Sequence, residues 1–157
     1  MNILVLCTGN SARSILLESM LTHLSDGRIK GYSAGSNPSG KVHPQSLRLL
    51  AAKGYPVDDL SSKSWDVFAG QDAPEMDVVI TVCGSAAAEE CPYWAGAPIR
   101  VHWGVEDPAA ASEPDWDAAF TLAYDQLYTR AQAFLALDTD GMDHATLTKE
   151  LTRIGTL

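Results

Sequence analysis

Apolar and polar positions alternate along this chain between two kinds of pattern. Short continuous apolar runs are separated by stretches in which apolar residues recur every three or four positions. The run Asn2-Ile-Leu-Val-Leu6 is of the kind that buried strands show. After a loop of small residues, Ile15, Leu16, Leu17, Met20, Leu21 and Leu24 return at helical spacing, and Gly27 marks a stop. Residues 29–34, IKGYSA, predict a second strand, and Gly35 to Gly40 is turn material. Leu47, Leu49, Leu50 and Ala51 predict a second helix ending at Gly54. Asp77-Val-Val-Ile-Thr-Val82 is the clearest buried strand, with Cys83 directly after it, and residues 99–103, IRVHW, make a fourth. Pro114 introduces a long helix from Asp115 to about Leu137, with Trp116, Phe120, Ala123, Leu127, Arg130, Ala131 and Phe134 near one stripe. His144 to Ile154 reads as a short amphipathic helix.

Strands alternating with helical patterns predict βαβ units. Right-handed crossovers then place helices on both faces of a parallel sheet. The expected architecture is α/β, a three-layer sandwich around a four-stranded parallel sheet. It forms one domain over residues 1–157, with 138–157 as a C-terminal extension. In such sheets ligands sit beyond the carboxyl ends of the strands. Cys7 lies at the end of the first strand, Cys83 at the end of the third, and Asp107 just past the fourth, so these three are expected to converge.

Charge narrows the partners. The 157 residues carry a formal net charge of −9, which disfavours nucleic acid and anionic membranes and any long-range steering of an anion. An anion site must therefore be a local structure. No apolar run approaches the roughly 18 residues of a membrane span. The N-terminal run lacks the basic flank of an export signal. Cys7, Cys83 and Cys91 are too few and oddly numbered for a secreted disulfide framework, so a reducing cytoplasmic setting is expected. His23, His43, His102 and His144 are scattered without ligand spacing, which predicts no metal held by histidines.

The stretch Cys7-Thr-Gly-Asn-Ser-Ala-Arg13-Ser14 supplies what the net charge cannot. A loop that wraps an oxyanion points several amide groups inward, which needs small residues and some left-handed backbone. Thr8, Gly9, Asn10, Ser11 and Ala12 provide them, with Gly9 and Asn10 tolerating positive φ. The loop runs into a helix N-terminus, where unpaired amides favour negative charge. Arg13 adds a bidentate fork. The same field acts on the Cys7 thiol, which is expected well below the usual cysteine value of about 8.5, with Ser14 donating to the sulfur. A nucleophile and a tetrahedral-anion site thus coincide. Only one glycine is present, so a dinucleotide loop fits poorly.

Asp107-Pro108 is either a simple turn or an acid on a stiffened loop, able to protonate a leaving oxygen. Cys83 and Cys91, in TVCGSAAAEECPYW, are either buried spectators or the further thiols that two-electron chemistry at sulfur requires. The residues between them can form a short helix or a loop.

The segments VLCTGNSARS, YSAGSNPSG, DVVITVC…CP and HWGVEDP resemble the arsenate reductase family built on the low-molecular-weight protein tyrosine phosphatase fold. The likeness spans roughly the first 110 residues by motif. It implies that Cys7 attacks arsenate held by the loop amides and Arg13, that Asp107 protonates the departing oxygen, and that Cys83 then attacks Cys7. Arsenite leaves, and Cys91 moves the disulfide to Cys83–Cys91. Electrons come from thioredoxin or from glutathione and glutaredoxin, with no tightly bound cofactor. Asn10, Glu18, Ser33 and Asp66 match a potassium-site set of some members. Phosphate and sulfate are expected competitors, and the chain is expected to act as a monomer. Ala12 stands where some members carry an extra cysteine, and the Cys83–Cys91 spacing is one longer than in the thioredoxin-coupled pattern. Rival expectations are a phosphomonoesterase and a non-catalytic oxyanion or redox sensor. Ala109-Ala110-Ala111 lacks the tyrosines that phosphatases of this fold present after Asp-Pro.

Overall fold

The computed structural model describes residues 1–70, 72–84 and 98–157. Four strands, β1 (Asn2–Cys7), β2 (Lys30–Gly35), β3 (Val78–Thr81) and β4 (Ile99–His102), form one sheet in the order β2-β1-β3-β4, and every neighbouring pair is parallel. The described helices are α1 (Arg13–His23), α2 (Pro44–Ala52), α3 (Trp116–Leu135) and α4 (His144–Ile154). The expected α/β architecture is thus realised, with strand limits within two residues of those read from the pattern.

Strand β1 is central, and Ile3 to Leu6 are fully buried. Alternate side chains of a strand point to opposite faces. Gly31 and Ser33 of β2 face α1: a Cβ on Gly31 would lie 2.8 Å from the Glu18 carbonyl. Tyr32 points the other way and meets Phe68, at 5.4 Å between ring centres, from a 3-10 turn at Trp65–Phe68. Both faces are therefore covered, which is why β1 reads as a continuous apolar run rather than an alternating one.

Helix α1 is buried almost all round, because it lies between the sheet and the helices α2 and α3. Its serines Ser14 and Ser19 are as hidden as its leucines. The stripe expected on α3 is buried, with Tyr124 added to it and Trp116 only half-buried at its start. Helix α4 begins on Asp143, whose carboxylate accepts from the Thr146 amide at 2.8 Å. Its Leu147, Leu151 and Ile154 bury one face, as the pattern predicts.

The strand order decides where a site forms. From β1 the chain crosses to β2 on one side, then returns past β1 to β3 and β4 on the other. The loops leaving β1 and β3 diverge at this reversal and leave a crevice at their carboxyl ends. Cys7 closes β1, and Cys83 follows β3 by two residues.

Candidate active site

The loop between β1 and α1 is shaped by its carbonyl groups. Thr8 O accepts from the Asn37 amide (3.0 Å), Gly9 O from the Ser39 amide (2.9 Å) and the Ser62 hydroxyl (3.1 Å), and Ser11 O from the His43 amide (3.0 Å) and the Ser46 hydroxyl (2.9 Å). Pulling carbonyls outward turns the intervening amides inward. Among the described residues, the amides of Asn10, Ser11 and Ala12 meet no acceptor. Such converging donors at a helix start make an anion cradle.

Asn10 is the hub of this loop. It is fully buried with φ +47°, the left-handed region anticipated for it, whereas Gly9 does not use positive φ. Its side-chain amide donates to Ser14 Oγ (2.7 Å) and Ser33 Oγ (3.0 Å), and its Oδ1 accepts from the Lys63 amide (2.9 Å). Three elements are thus tied through one side chain. Asn10→Ala is expected to cost about 2–4 kcal/mol, because several buried groups lose partners at once; denaturant unfolding measures it. The Ser14 hydroxyl is engaged with Asn10, and Cys7 is hydrogen-bonded with the Cys83 thiol and the Gly9 amide.

Gly35 lets the second strand end against this loop, since a Cβ there would collide with the Thr8 carbonyl. The space, not the dihedral, requires glycine.

Arg13 is the first residue of α1, with its side chain 12% exposed. Its Nη1 donates to the Val105 carbonyl (2.9 Å), and Nη2 lies 3.7 Å from Asp107 Oδ2. Its Nε is buried and has no hydrogen-bond partner among the described residues. Asp107 itself is 45% exposed and caps a 3-10 turn at Pro108–Ala110, its Oδ1 accepting from the Ala109 amide at 3.0 Å. The turn reading and the convergence reading of Asp-Pro therefore both describe it.

Cys7 and Cys83 come together as expected, 5% and 4% exposed respectively. The Thr8 hydroxyl lies 3.4 Å from Cys83 Sγ. The depressed pKa expected for Cys7 is corrected here. Hydrogen bonding with Cys83, then burial, push the Cys7 thiol up, while Arg13 and the Gly9 amide pull it down without prevailing. A sequence reading that treats Cys7 alone sees only the cation. Cys91, and with it the helix-or-loop choice before it and Tyr93 and Trp94, lie outside the described residues.

Of the residues matched to a potassium set, Asn10 donates to Ser33 Oγ and Ser33 is hydrogen-bonded with the Glu18 carboxyl, while Asp66 is exposed. Asn10 Oδ1 accepts from the Lys63 backbone amide, and the hollow of about 370 Å³ beside Glu18 is lined by Lys63 and Asp59 as well. Burial pushes the Glu18 carboxyl up, against the nearby Lys63 ammonium and hydrogen bonds from Ser33. The Lys63 ammonium donates to the Ser61 carbonyl at 2.8 Å, and Glu18 Oε2 is buried with no hydrogen-bond partner among the described residues. Among the described residues no group of three His, Cys, Asp or Glu is placed to hold a metal.

The sequence reading missed His43, Ser46, Ser62 and Lys63, which brace the loop from outside. His43 caps α2 by accepting from the Gln45 amide at Nδ1 (3.0 Å) and meets Trp116 edge-on at 4.6 Å. Its place before Pro44 was the available signal, since proline favours the first helical turn. Burial lowers its pKa, with Asp107 opposing. A histidine held below its unfolded value keeps its full contribution above that value and loses it as pH falls toward the folded one. Stability is therefore expected to decline from about pH 7 to pH 5.5 more steeply in the wild type than in His43→Asn, which retains a capping oxygen; thermal melts across that range test it.

A buried cysteine at the base of an amide cradle, an arginine at its rim and an aspartate across from it form a phosphatase-like arrangement. Residues 2–152 match the family described as low molecular weight phosphotyrosine protein phosphatase, and the chain belongs to it. Within that family it is similar to the arsenate reductases of Bacillus subtilis, 33% identical over 132 residues (82% of this chain, 91% of the relative), and Halalkalibacterium halodurans, 34% over 131 residues (82% and 91%). A solved arsenate reductase in the phosphate binding state superposes with a TM-score of 0.70 at 26% identity, over 86% of this chain and 96% of that one.

Proposed function

We propose that this protein reduces arsenate to arsenite through a sequence of thiols. The observation that carries the reading is the contact of Cys83 with Cys7 at the floor of the anion cradle. A hydrolase needs one sulfur there. A reductase needs a second within reach to take the first off arsenic.

The tetrahedral anion enters the amides of residues 8–14, and Arg13 Nε and Nη groups take two of its oxygens. Cys7 arrives protonated, because Cys83 and burial hold its proton. The bound anion is a base close by, so the proton passes to it as the sulfur attacks arsenic. Asp107 then protonates the departing oxygen, which leaves as water. Cys83 attacks Cys7 Sγ next. The S–As bond breaks, its electron pair reduces As(V) to As(III), arsenite departs and a Cys7–Cys83 disulfide remains. Cys91 attacks Cys83, releasing Cys7, and an external dithiol of the thioredoxin kind, or glutathione with glutaredoxin, reduces the Cys83–Cys91 bridge. Phosphate and sulfate compete for the cradle. One chain carries every residue named, so the monomer suffices. The thiols must be kept reduced, which suits the cytoplasm; among the described residues no helix is long and apolar enough to cross a membrane.

Thiol counting by mass spectrometry tests the sequence of steps. Arsenate is expected to oxidise two thiols per chain, with the bridge mapped to Cys83–Cys91. In Cys91→Ser the bridge stalls at Cys7–Cys83. In Cys83→Ser no disulfide and no stoichiometric arsenite form. Arsenite formation that survives loss of Cys83 would overturn the reading, as would strong aryl phosphate hydrolysis without any arsenite from either thiol donor.

A further inference from the structure

Arg130 is 7% exposed in the middle of α3, and among the described residues no aspartate or glutamate side chain lies in ion-pair range of it. A buried cation is costly and is retained only where its donors are spent on polar or anionic groups. They are spent on the main-chain oxygens of Gly104 and Leu157. Nη1 donates to Gly104 O (3.1 Å), while Nε (3.3 Å) and Nη2 (3.2 Å) donate to Leu157 O. Gly104 is where the chain leaves β4 on its way to Asp107.

The root of that loop is held residue by residue. The Trp103 amide donates to Thr81 O (2.7 Å), and the Val105 amide to Val82 O (3.1 Å). Trp103 is fully buried, and its indole donates to Leu151 O of α4 at 2.9 Å. Gly155, just past α4, approaches so closely that a Cβ would lie 2.7 Å from the His102 carbonyl. Helix α4 is therefore seated on the end of β4, and Arg130 joins its far end to Gly104. Beyond Val105, Glu106 and Asp107 are exposed; Arg13 faces Asp107 from one side, and from the other the buried Pro108 starts a turn that packs on α3, with Ala111 O accepting from Trp116 Nε1 at 2.9 Å.

We propose that Arg130 and helix α4 form a clamp that positions the Asp107 loop over the anion cradle, with Arg130 a positioning residue that acts through Asp107 without touching the oxyanion. The proposal rests on the reading of Asp107 as the proton donor. An acid must be held within hydrogen-bond reach of the oxygen it protonates, and small displacements are expensive. The Gly104 carbonyl gripped by Arg130 fixes the backbone three residues upstream of that acid, and the bonds to Leu157 O tie the same guanidinium to the end of α4.

The test is single-turnover disulfide formation from arsenate, followed by rapid quench and thiol counting, with arsenate affinity measured separately. Asp107→Asn is expected to slow the step by about a hundredfold. Arg130→Met is expected to slow it about tenfold while leaving arsenate affinity within about twofold, the split that misplacement of an acid produces. On the Asp107→Asn background Arg130→Met costs nothing further, since an absent acid gains nothing from a well-placed loop. Trp103→Phe keeps the aromatic volume, cuts the bond to Leu151, and is expected to give a smaller loss that also vanishes on that background. It reads the clamp even where Arg130→Met folds poorly. An unchanged rate in Asp107→Asn removes the acid assignment and the clamp with it. A slow Asp107→Asn beside wild-type rates for Arg130→Met and Trp103→Phe removes the clamp alone, as does an Arg130→Met loss that persists in the double variant.

Discussion

Cys7→Ser is expected to abolish arsenite formation, a loss of at least about 10⁴-fold, because a serine hydroxyl in that cradle is far from ionised and an alkoxide does not accept the second sulfur's attack. The substitution changes one buried atom and leaves the loop's fixings intact: the outward bonds of Thr8, Gly9 and Ser11 carbonyls come from residues 37, 39, 43, 46 and 62. Phosphate and arsenate should therefore still bind, with affinity within a few-fold of the wild type. Calorimetry with phosphate, beside an arsenite assay with each thiol donor, separates the two effects. Loss of binding together with turnover would mean that the sulfur organises the cradle rather than attacking from it.

The second large effect concerns Arg13. Arg13→Lys keeps a positive charge yet is expected to lower turnover by about 10²–10³-fold, since one ammonium replaces a planar fork. In the structure the fork does three things at once. It holds Val105 O at 2.9 Å, faces Asp107 at 3.7 Å, and keeps Nε buried toward the cradle without another partner among the described residues. A lysine can serve one of these. The loss should appear in both arsenate affinity and the rate of the first chemical step, in contrast to the rate-only loss expected for Arg130. Near-normal kinetics for Arg13→Lys would show that charge alone suffices and that the bidentate geometry has no role.

The Cys7–Cys83 contact also sets a pH expectation. Because Cys83 and burial push the Cys7 thiol up, the proposed attack on arsenic requires a base arriving with the substrate. Alkylation of Cys7 by a neutral reagent in the absence of any oxyanion should be slow at neutral pH and accelerate as pH rises. In Cys83→Ala the largest upward influence is gone, and alkylation at neutral pH should be faster. Equal rates in the two proteins would leave the coupling without support.

Much of the fold was legible along the chain because its central strand is buried on both faces. Ile3 to Leu6 and Val78 to Ile80 have no solvent-facing positions to interrupt them, so the runs stand out. Helix α4 was read to the residue, since Asp143 caps it and Leu147, Leu151 and Ile154 share one side. Helix α1 was legible for its spacing but not for its burial. Its serines are hidden by α2 and α3, and nothing in local spacing announces a neighbour from another part of the chain.

The candidate site divides in the same way. Cys7 to Ser14 was legible because an anion cradle is made by consecutive residues, and its small side chains, Asn10 and Arg13 are written in one segment. The residues that hold the cradle open come from 37 to 63, and Arg130 reaches Gly104 from 26 positions away. Those contacts depend on which loops the sheet order brings side by side. The protonation of Cys7 belongs to this second group. Sequence determined that a cysteine would sit at a helix start beside an arginine, which favours the thiolate. Only the tertiary structure decided that a second thiol and a buried wall would press against it, because proton affinity is set by everything within a few ångströms, and sequence order records only part of that neighbourhood.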